Sequence, residues 1–178
     1  MPRLFTGLEI PAEVRLALSA FRGGLPGARW VEPDNYHVTL RFIGDIDEGV
    51  AREVVAVLGE ARARGPVEVT FEALDSFGGR RPRVVMARAT ATDDLAELQA
   101  ENEQLLRRIG LPPEGKRFVP HVTLARLRDS SPRDVAGYIA MHGRFPKLSF
   151  TAERFILYSS RASVGGGPYV IEAAYPLT

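Results

Sequence analysis

The sequence predicts an α+β fold built on antiparallel strands, and three observations carry that expectation. Stretches with strand-like alternation and stretches with helical spacing interleave along the chain, yet several strands follow one another with no helix between them, unlike a doubly wound parallel sheet. The composition is that of a packed globular protein: 178 residues, 45% hydrophobic and 25% charged, enough apolar mass for a real core. One tetrapeptide, His37-Val38-Thr39-Leu40, returns as His121-Val122-Thr123-Leu124, close to half a chain length later. A strand duplicated in a two-lobed fold explains that better than coincidence, and residues 1–178 are read as a single bilobal domain.

The elements follow in order. Arg3 to Ile10 is short and partly alternating, a strand, and Pro11 followed by Ala12-Glu13-Val14-Arg15-Leu16-Ala17-Leu18 changes to helical spacing. Trp30-Val31 and His37 to Ile43 read as extended, with a Pro33-Asp34-Asn35 turn between them and Gly44-Asp45 at the end. Glu48 to Arg64 places Val50, Val54, Val57, Leu58 and Ala61 on one helical stripe. Val67 to Leu74 alternates, Gly78 to Pro82 is a loop, and Arg83 to Ala89 is a strand. Thr92 or Asp93 caps a helix reaching Ile109, with Leu95, Leu98, Leu105 and Leu106 on one face. Pro112 to Gly115 turns the chain into the extended segment Phe118 to Leu127. Ser131-Pro132 is a cap followed by a first-turn proline for a helix to about His142. Phe150 to Ser159 and Tyr169 to Tyr175 are the closing strands, separated by the loop Gly165 to Pro168.

Several function classes drop out. There is no cysteine, so disulfides, thiol catalysis and thiolate metal sites are excluded. Charged or helix-breaking residues interrupt every apolar stretch of the N-terminal segment, so neither a signal sequence nor a membrane span is expected, and the protein is placed in the cytoplasm. A net charge of +1 gives no field suited to long duplex DNA, but leaves room for a short nucleic-acid contact. All basic residues but Lys116 and Lys147 are arginine, a bias that genome composition explains more readily than phosphate recognition.

The repeated tetrapeptide carries the chemistry. In a strand, alternate side chains face opposite ways, so His and Thr of each copy share one face while Val and Leu share the other. With the Val-Leu faces against helices, a pseudo-two-fold axis brings two imidazoles and two hydroxyls together across a groove. A single copy would be a hydrogen-bonded core histidine beside a β-forming threonine. Two matched copies, in a chain with three histidines, point to function. One neutral imidazole can take a proton while a protonated one gives a proton up, as phosphoester displacement requires. The hydroxyls can donate to the non-bridging oxygens and stabilise charge in the transition state. A zinc site would need a further imidazole, carboxylate or thiolate where this motif has a hydroxyl.

These paired His-x-Thr-x motifs resemble the 2H phosphoesterase superfamily, and within it the RNA 2′,3′-cyclic phosphodiesterases historically named 2′-5′ RNA ligases, the LigT-like proteins. The likeness extends over nearly the whole chain. It runs through Arg3-Leu4-Phe5 with Ile10-Pro11, Trp30-Val31, Asn35-Tyr36-His37 to Gly44, Arg83-Val84-Val85, Phe118-Val119-Pro120-His121 to Arg126, and Leu157 to Ser159 with Gly167 and Tyr169. The resemblance implies a bilobal α+β fold with two antiparallel sheets meeting at a central cleft and helices outside. It implies no cofactor and no metal, and hydrolysis of a terminal 2′,3′-cyclic phosphate to a 2′-phosphate, possible reversal as 2′-5′ ligation included. The partners it implies are RNA or tRNA-fragment 3′ ends, with no membrane, for a monomer. His37 and His121 match the catalytic pair, Thr39 and Thr123 the phosphate-binding hydroxyls, and Arg126 a phosphate-contacting arginine. Thr6 and Met86 depart from the family pattern, which usually has a hydrophobic residue and often tryptophan there.

Arg126 lies an odd number of residues beyond His121, so an unbroken strand turns it away from the groove and only a bulge or a strand end returns it. Arg80, Arg81 and Arg83 read as a solvated loop and His142 as a helix-terminal residue. Two other functions stay open: a relative of the superfamily acting on a small cyclic nucleotide or a 2′-5′ linkage, and an RNA-binding scaffold without turnover. Matched acid and base in both copies argue against the scaffold.

Overall fold

The computed structural model describes residues 2–160 and 167–178; the Gly165-Gly166 part of the loop expected before the last strand lies outside them. Nine strands and four helices are present among the described residues. The strands are β1 (Arg3–Glu9), β2 (Ala28–Trp30), β3 (His37–Asp45), β4 (Val67–Phe77), β5 (Val84–Ala89), β6 (His121–Leu127), β7 (Leu148–Ala152), β8 (Arg154–Ser160) and β9 (Tyr169–Pro176). The helices are α1 (Ala12–Ser19), α2 (Glu48–Leu58), α3 (Asp93–Arg108) and α4 (Pro132–Met141).

The local chemistry explains the helix limits. Thr92 caps α3 by accepting from the Leu95 N–H at 3.2 Å, Asp93 and Asp94 occupy its first turn, and Arg107 and Arg108 its last, which suits both ends of the helix dipole. Asp47 and Ser131 cap α2 and α4 in the same way. The stripe read to Arg64 stops at Leu58, where the poor helix former Gly59 takes the cap position. The chain beyond is held by Arg62 and Arg64, both paired with Glu101 of α3 at 3.5 and 3.3 Å.

All strand pairs are antiparallel, and the strands lie in the order β7-β4-β5-β6-β3-β1-β8-β9, with β2 added on β6. The two expected sheets are the two halves of this order. They meet at one residue pair between β3 and β6, Val38 opposite Val122. The segment read as one strand, Phe150 to Ser159, is two: β7 pairs with β4 in one half and β8 with β1 in the other, and the chain changes partners at Glu153. Strand β2 continues into β3 as a single interrupted edge along β6, since the Val31 N–H donates to Leu124 O at 2.8 Å before the 3₁₀ turn Pro33–Asn35.

Beneath both halves runs one connected apolar cluster, including Leu8, Val38, Phe71, Val85, Val122 and Phe155, all fully buried. Each such side chain contributes about 1.5–3 kcal/mol through removal from water. Helices α2 and α3 pack together, with α3 also against β3 and β4, while α1 lies against β7 and α4 against β4. A second, small cluster of Phe5, Ile156 and Tyr158, joined by Tyr169, is separate from that core.

Candidate active site

The single pair joining the two halves sets the site. Val38 and Val122 occupy the same position in the two copies of the motif, so the local two-fold axis passes between them. Both valines are fully buried, and their neighbours His37, Thr39, His121 and Thr123 are partly exposed on the other face. The structure thus brings all four sequence-predicted side chains to one side of the junction.

Both motif strands then bulge at the same place. Gly7 lies opposite Thr39 and Thr6 opposite Arg41, so β3 has an extra residue there, Leu40, before a second shift at Ile43. Met86 lies opposite Thr123 and Val85 opposite Ala125, so β6 has one extra residue, Leu124. Each bulge shifts the alternation by one and returns the residue five beyond the histidine to the groove face. That residue is Phe42 in β3 and Arg126 in β6, both exposed. Register fills out the rows beside them: Tyr158, Phe5 and Phe42 across one half, Phe77, Val84, Arg126 and Arg29 across the other.

The two imidazoles are held alike. His37 Nδ1 donates to Asn35 O at 2.9 Å and His121 Nδ1 donates to Val119 O at 2.7 Å, each a carbonyl two residues upstream. A carbonyl only accepts, so Nδ1 keeps its proton and Nε2 is the atom that titrates. His37 Nε2 also lies 3.0 Å from Thr39 Oγ1. Desolvation pushes the His37 pKa down to about 4, with the carbonyl bond opposing and the charges of His121 and Arg126 adding to the fall. Desolvation also lowers His121.

Their surroundings differ. His37 is enclosed by rings, with centroids at 4.8 Å to Phe5, 5.0 Å to Tyr169 and 5.8 Å to Tyr158. His121 meets Phe77 edge-on at 5.0 Å, and beside it in the register Arg88 is paired with Asp75 and Glu72. A cavity of about 520 Å³ opens beside His37, lined among others by Asn35, Tyr158, Tyr169, Arg15 and Arg154. A larger one, about 860 Å³, lies between α2 and the ends of β1 and β8 and includes none of the four motif side chains.

Sequence reading missed the rings of Phe5, Tyr158 and Phe77, and also Arg29. Strand parity held a signal for the first: Leu4 and Leu8 face the core, so Phe5 between them faces the other way. Thr6 and Met86 are buried; Thr6 Oγ1 has no hydrogen-bond partner among the described residues, and Met86 lies beside Thr123 in the register. Arg80, Arg81 and Arg83 are exposed next to the Gly78-Gly79 turn. His142 caps the C-terminal end of α4 and packs against Tyr138 and Phe21. Among the described residues no group of three or more His, Asp or Glu side chains is placed to hold a metal ion, and no helix is long and apolar enough to cross a membrane.

A family model described as LigT like Phosphoesterase matches the chain twice, over residues 8–86 and 87–169, one match to each copy of the motif. The chain belongs to this family. An RNA 2′,3′-cyclic phosphodiesterase of Thermotoga maritima is 30% identical, covering 95% of this chain and 92% of its own. A protein of that name from Aquifex aeolicus is 38% identical over 56% of this chain, and the match spans about half, 55%, of that relative's length. The crystal structure of E. coli LigT complexed with 3′-AMP superposes with a TM-score of 0.77 at 25% identity, covering 100% of this chain and 99% of that one.

Proposed function

We propose that this LigT-like phosphoesterase is an RNA 2′,3′-cyclic phosphodiesterase that opens the terminal cyclic phosphate to a 2′-phosphate with its two histidines. The observation that carries this reading is the arrangement of His37, Thr39, His121 and Thr123 about one local two-fold axis, each imidazole fixed through Nδ1. The names of its relatives and the nucleotide in the E. coli LigT structure support the substrate class.

A phosphate centred on the axis has an imidazole Nε2 on either side. One, neutral, takes a proton from water as the water oxygen bonds to phosphorus; the other, protonated, gives its proton to O3′ as the P–O3′ bond breaks. Atoms and charge balance, and the two rings exchange protonation states. Thr39 and Thr123 donate to the non-bridging oxygens, where charge accumulates in the transition state. Arg126 supplies a fixed positive charge on the same face. Tyr158 and Tyr169, which line the cavity beside His37, offer ring surface to the terminal nucleoside, with Phe5 buried behind them. Each half contributes one histidine, so one chain completes the site and works as a monomer, with the cytoplasm as its place of action.

The test is turnover of an oligoribonucleotide ending in 2′,3′-cyclic phosphate, beside a small cyclic mononucleotide, across about pH 4 to 9 and after EDTA dialysis. A neutral base makes the rate fall below its pKa, and a protonated acid makes it fall above. Both histidines are lowered in the free protein, so kcat/KM should peak below pH 6.5. A bound phosphate anion raises both pKa values and moves the kcat optimum upward. Activity lost on dialysis and restored by a divalent ion would end the two-histidine account, as would a rate climbing steadily to the alkaline limit.

A further inference from the structure

The two ends of the groove are built differently. At one end β2 lies along β6 with Arg29 directly opposite Arg126, so both guanidinium groups leave the sheet on the histidine face. At the other end the segment before His121 forms no strand, and Glu114 accepts from the Phe42 N–H at 3.3 Å beside the exposed Phe42 ring.

Three other arginines around the groove are neutralised. Arg154 is paired with Glu9 at 2.6 Å, Arg88 with Asp75 at 2.7 Å, and Arg15 with Asp34 at 3.9 Å. Among the described residues neither Arg29 nor Arg126 pairs with a carboxylate. Like charges directly opposite each other on adjacent strands, with Cα atoms about 5 Å apart, destabilise the pair. A phosphodiester removes that repulsion, because a guanidinium presents a planar fork of donors matched to phosphate oxygens.

We propose that Arg29 binds the internucleotide phosphate preceding the terminal cyclic one, so that RNA enters over the β2–β6 end of the groove and the protein prefers chain ends to cyclic mononucleotides. The proposal rests on the reading of the site as a cyclic phosphodiesterase and adds the direction and length of its substrate. Arg126, on the same strand as His121 and Thr123, stays with the reacting phosphate. Arg29 lies one strand further from it, on the strand that runs beside β6 beyond Thr123.

The experiment compares wild type, Arg29→Gln and a charge control, Arg107→Gln on the exposed face of α3, on two substrates: a nucleoside 2′,3′-cyclic phosphate and an oligoribonucleotide ending in one. Loss of one charge-assisted contact should raise KM for the oligonucleotide about 10-fold in Arg29→Gln, with kcat held, and so reduce the preference for the longer substrate. The salt dependence of oligonucleotide binding should flatten by about 0.7 in log–log slope. Arg107→Gln should leave the preference as in wild type. Equal loss on both substrates would put Arg29 on the reacting phosphate and overturn the proposal, and no loss on either would overturn it too. Both of those outcomes leave the cyclic phosphodiesterase reading standing, whereas a wild type that turns over neither substrate overturns the two together.

Discussion

The two motif strands, β3 and β6, have the same backbone plan and different neighbours. Over seven residues from each histidine the burial pattern is identical, the bulge falls at the same leucine, and Nδ1 finds the same carbonyl two residues upstream. The row beyond the bulge then diverges: Tyr158, Phe5 and Phe42 in one half, Phe77, Val84, Arg126 and Arg29 in the other. Symmetry is retained where the proposed reaction needs an interchangeable acid and base. It is lost where the proposed substrate has no symmetry, since the base and the charged backbone leave the terminal ribose in different directions.

If the two halves are chemically equivalent at the phosphate, removing either histidine should do similar damage. His37→Ala and His121→Ala should each lower kcat by about 10² to 10⁴, and the double variant should lose far less than the product of the two, since either loss already breaks the proton relay. Steady-state kinetics on the cyclic-phosphate oligonucleotide measure this. Near wild-type kcat in one of the single variants would remove that residue from the mechanism and the equivalence with it.

The threonines sharpen the comparison on a smaller scale. Thr39→Val and Thr123→Val keep the side-chain shape and delete a donor, so kcat should fall by about 10- to 10³-fold with the fold intact by circular dichroism. The two should separate in their pH dependence. Thr39 Oγ1 is 3.0 Å from His37 Nε2, while the structure shows no matching contact between Thr123 and His121 among the described residues. Removing Thr39 should therefore shift a limb of the kcat/KM profile, and removing Thr123 should lower the plateau alone. Full activity in folded valine variants would reduce both residues to β-formers.

What could be read in the sequence follows from strand parity. The alternation of His-Val-Thr-Leu places two polar residues on one face, and duplication implies a partner, so the four central groups and the α+β class were legible. The facing of Arg126 was not, because the bulge that turns it is a property of the pairing with β5. In β6 the run Leu124-Ala125 hints at it, but in β3 the same place is Leu40-Arg41, and an arginine gives no sign of being buried. Arg41 is nonetheless buried, held by Glu103 at 2.6 Å and by the carbonyls of Phe42 and Pro112. The division of Phe150 to Ser159 into β7 and β8 was hidden because the apolar run has no Gly or Pro to mark it; only pairing with different halves separates the two strands.

The smallest expected effect comes from the position beneath the site where the halves differ by one atom type. Thr6 in β1 and Val85 in β5 hold equivalent places, opposite Arg41 and Ala125 at the two bulges. Both are fully buried, but Thr6 Oγ1 has no hydrogen-bond partner among the described residues and the Val85 side chain has no polar atom to satisfy. A buried hydroxyl left unpaired costs about 1–3 kcal/mol, and valine fills the same volume. Thr6→Val should stabilise the protein by about 1–2 kcal/mol, seen as a higher urea midpoint at unchanged m-value, with kcat/KM as in wild type because Thr6 faces away from the groove. Val85→Thr should move the midpoint the other way by a similar amount. A Thr6→Val protein no more stable than wild type would mean that the hydroxyl is satisfied in solution, by water or by the guanidinium of Arg41, and that the halves are matched at this layer as well.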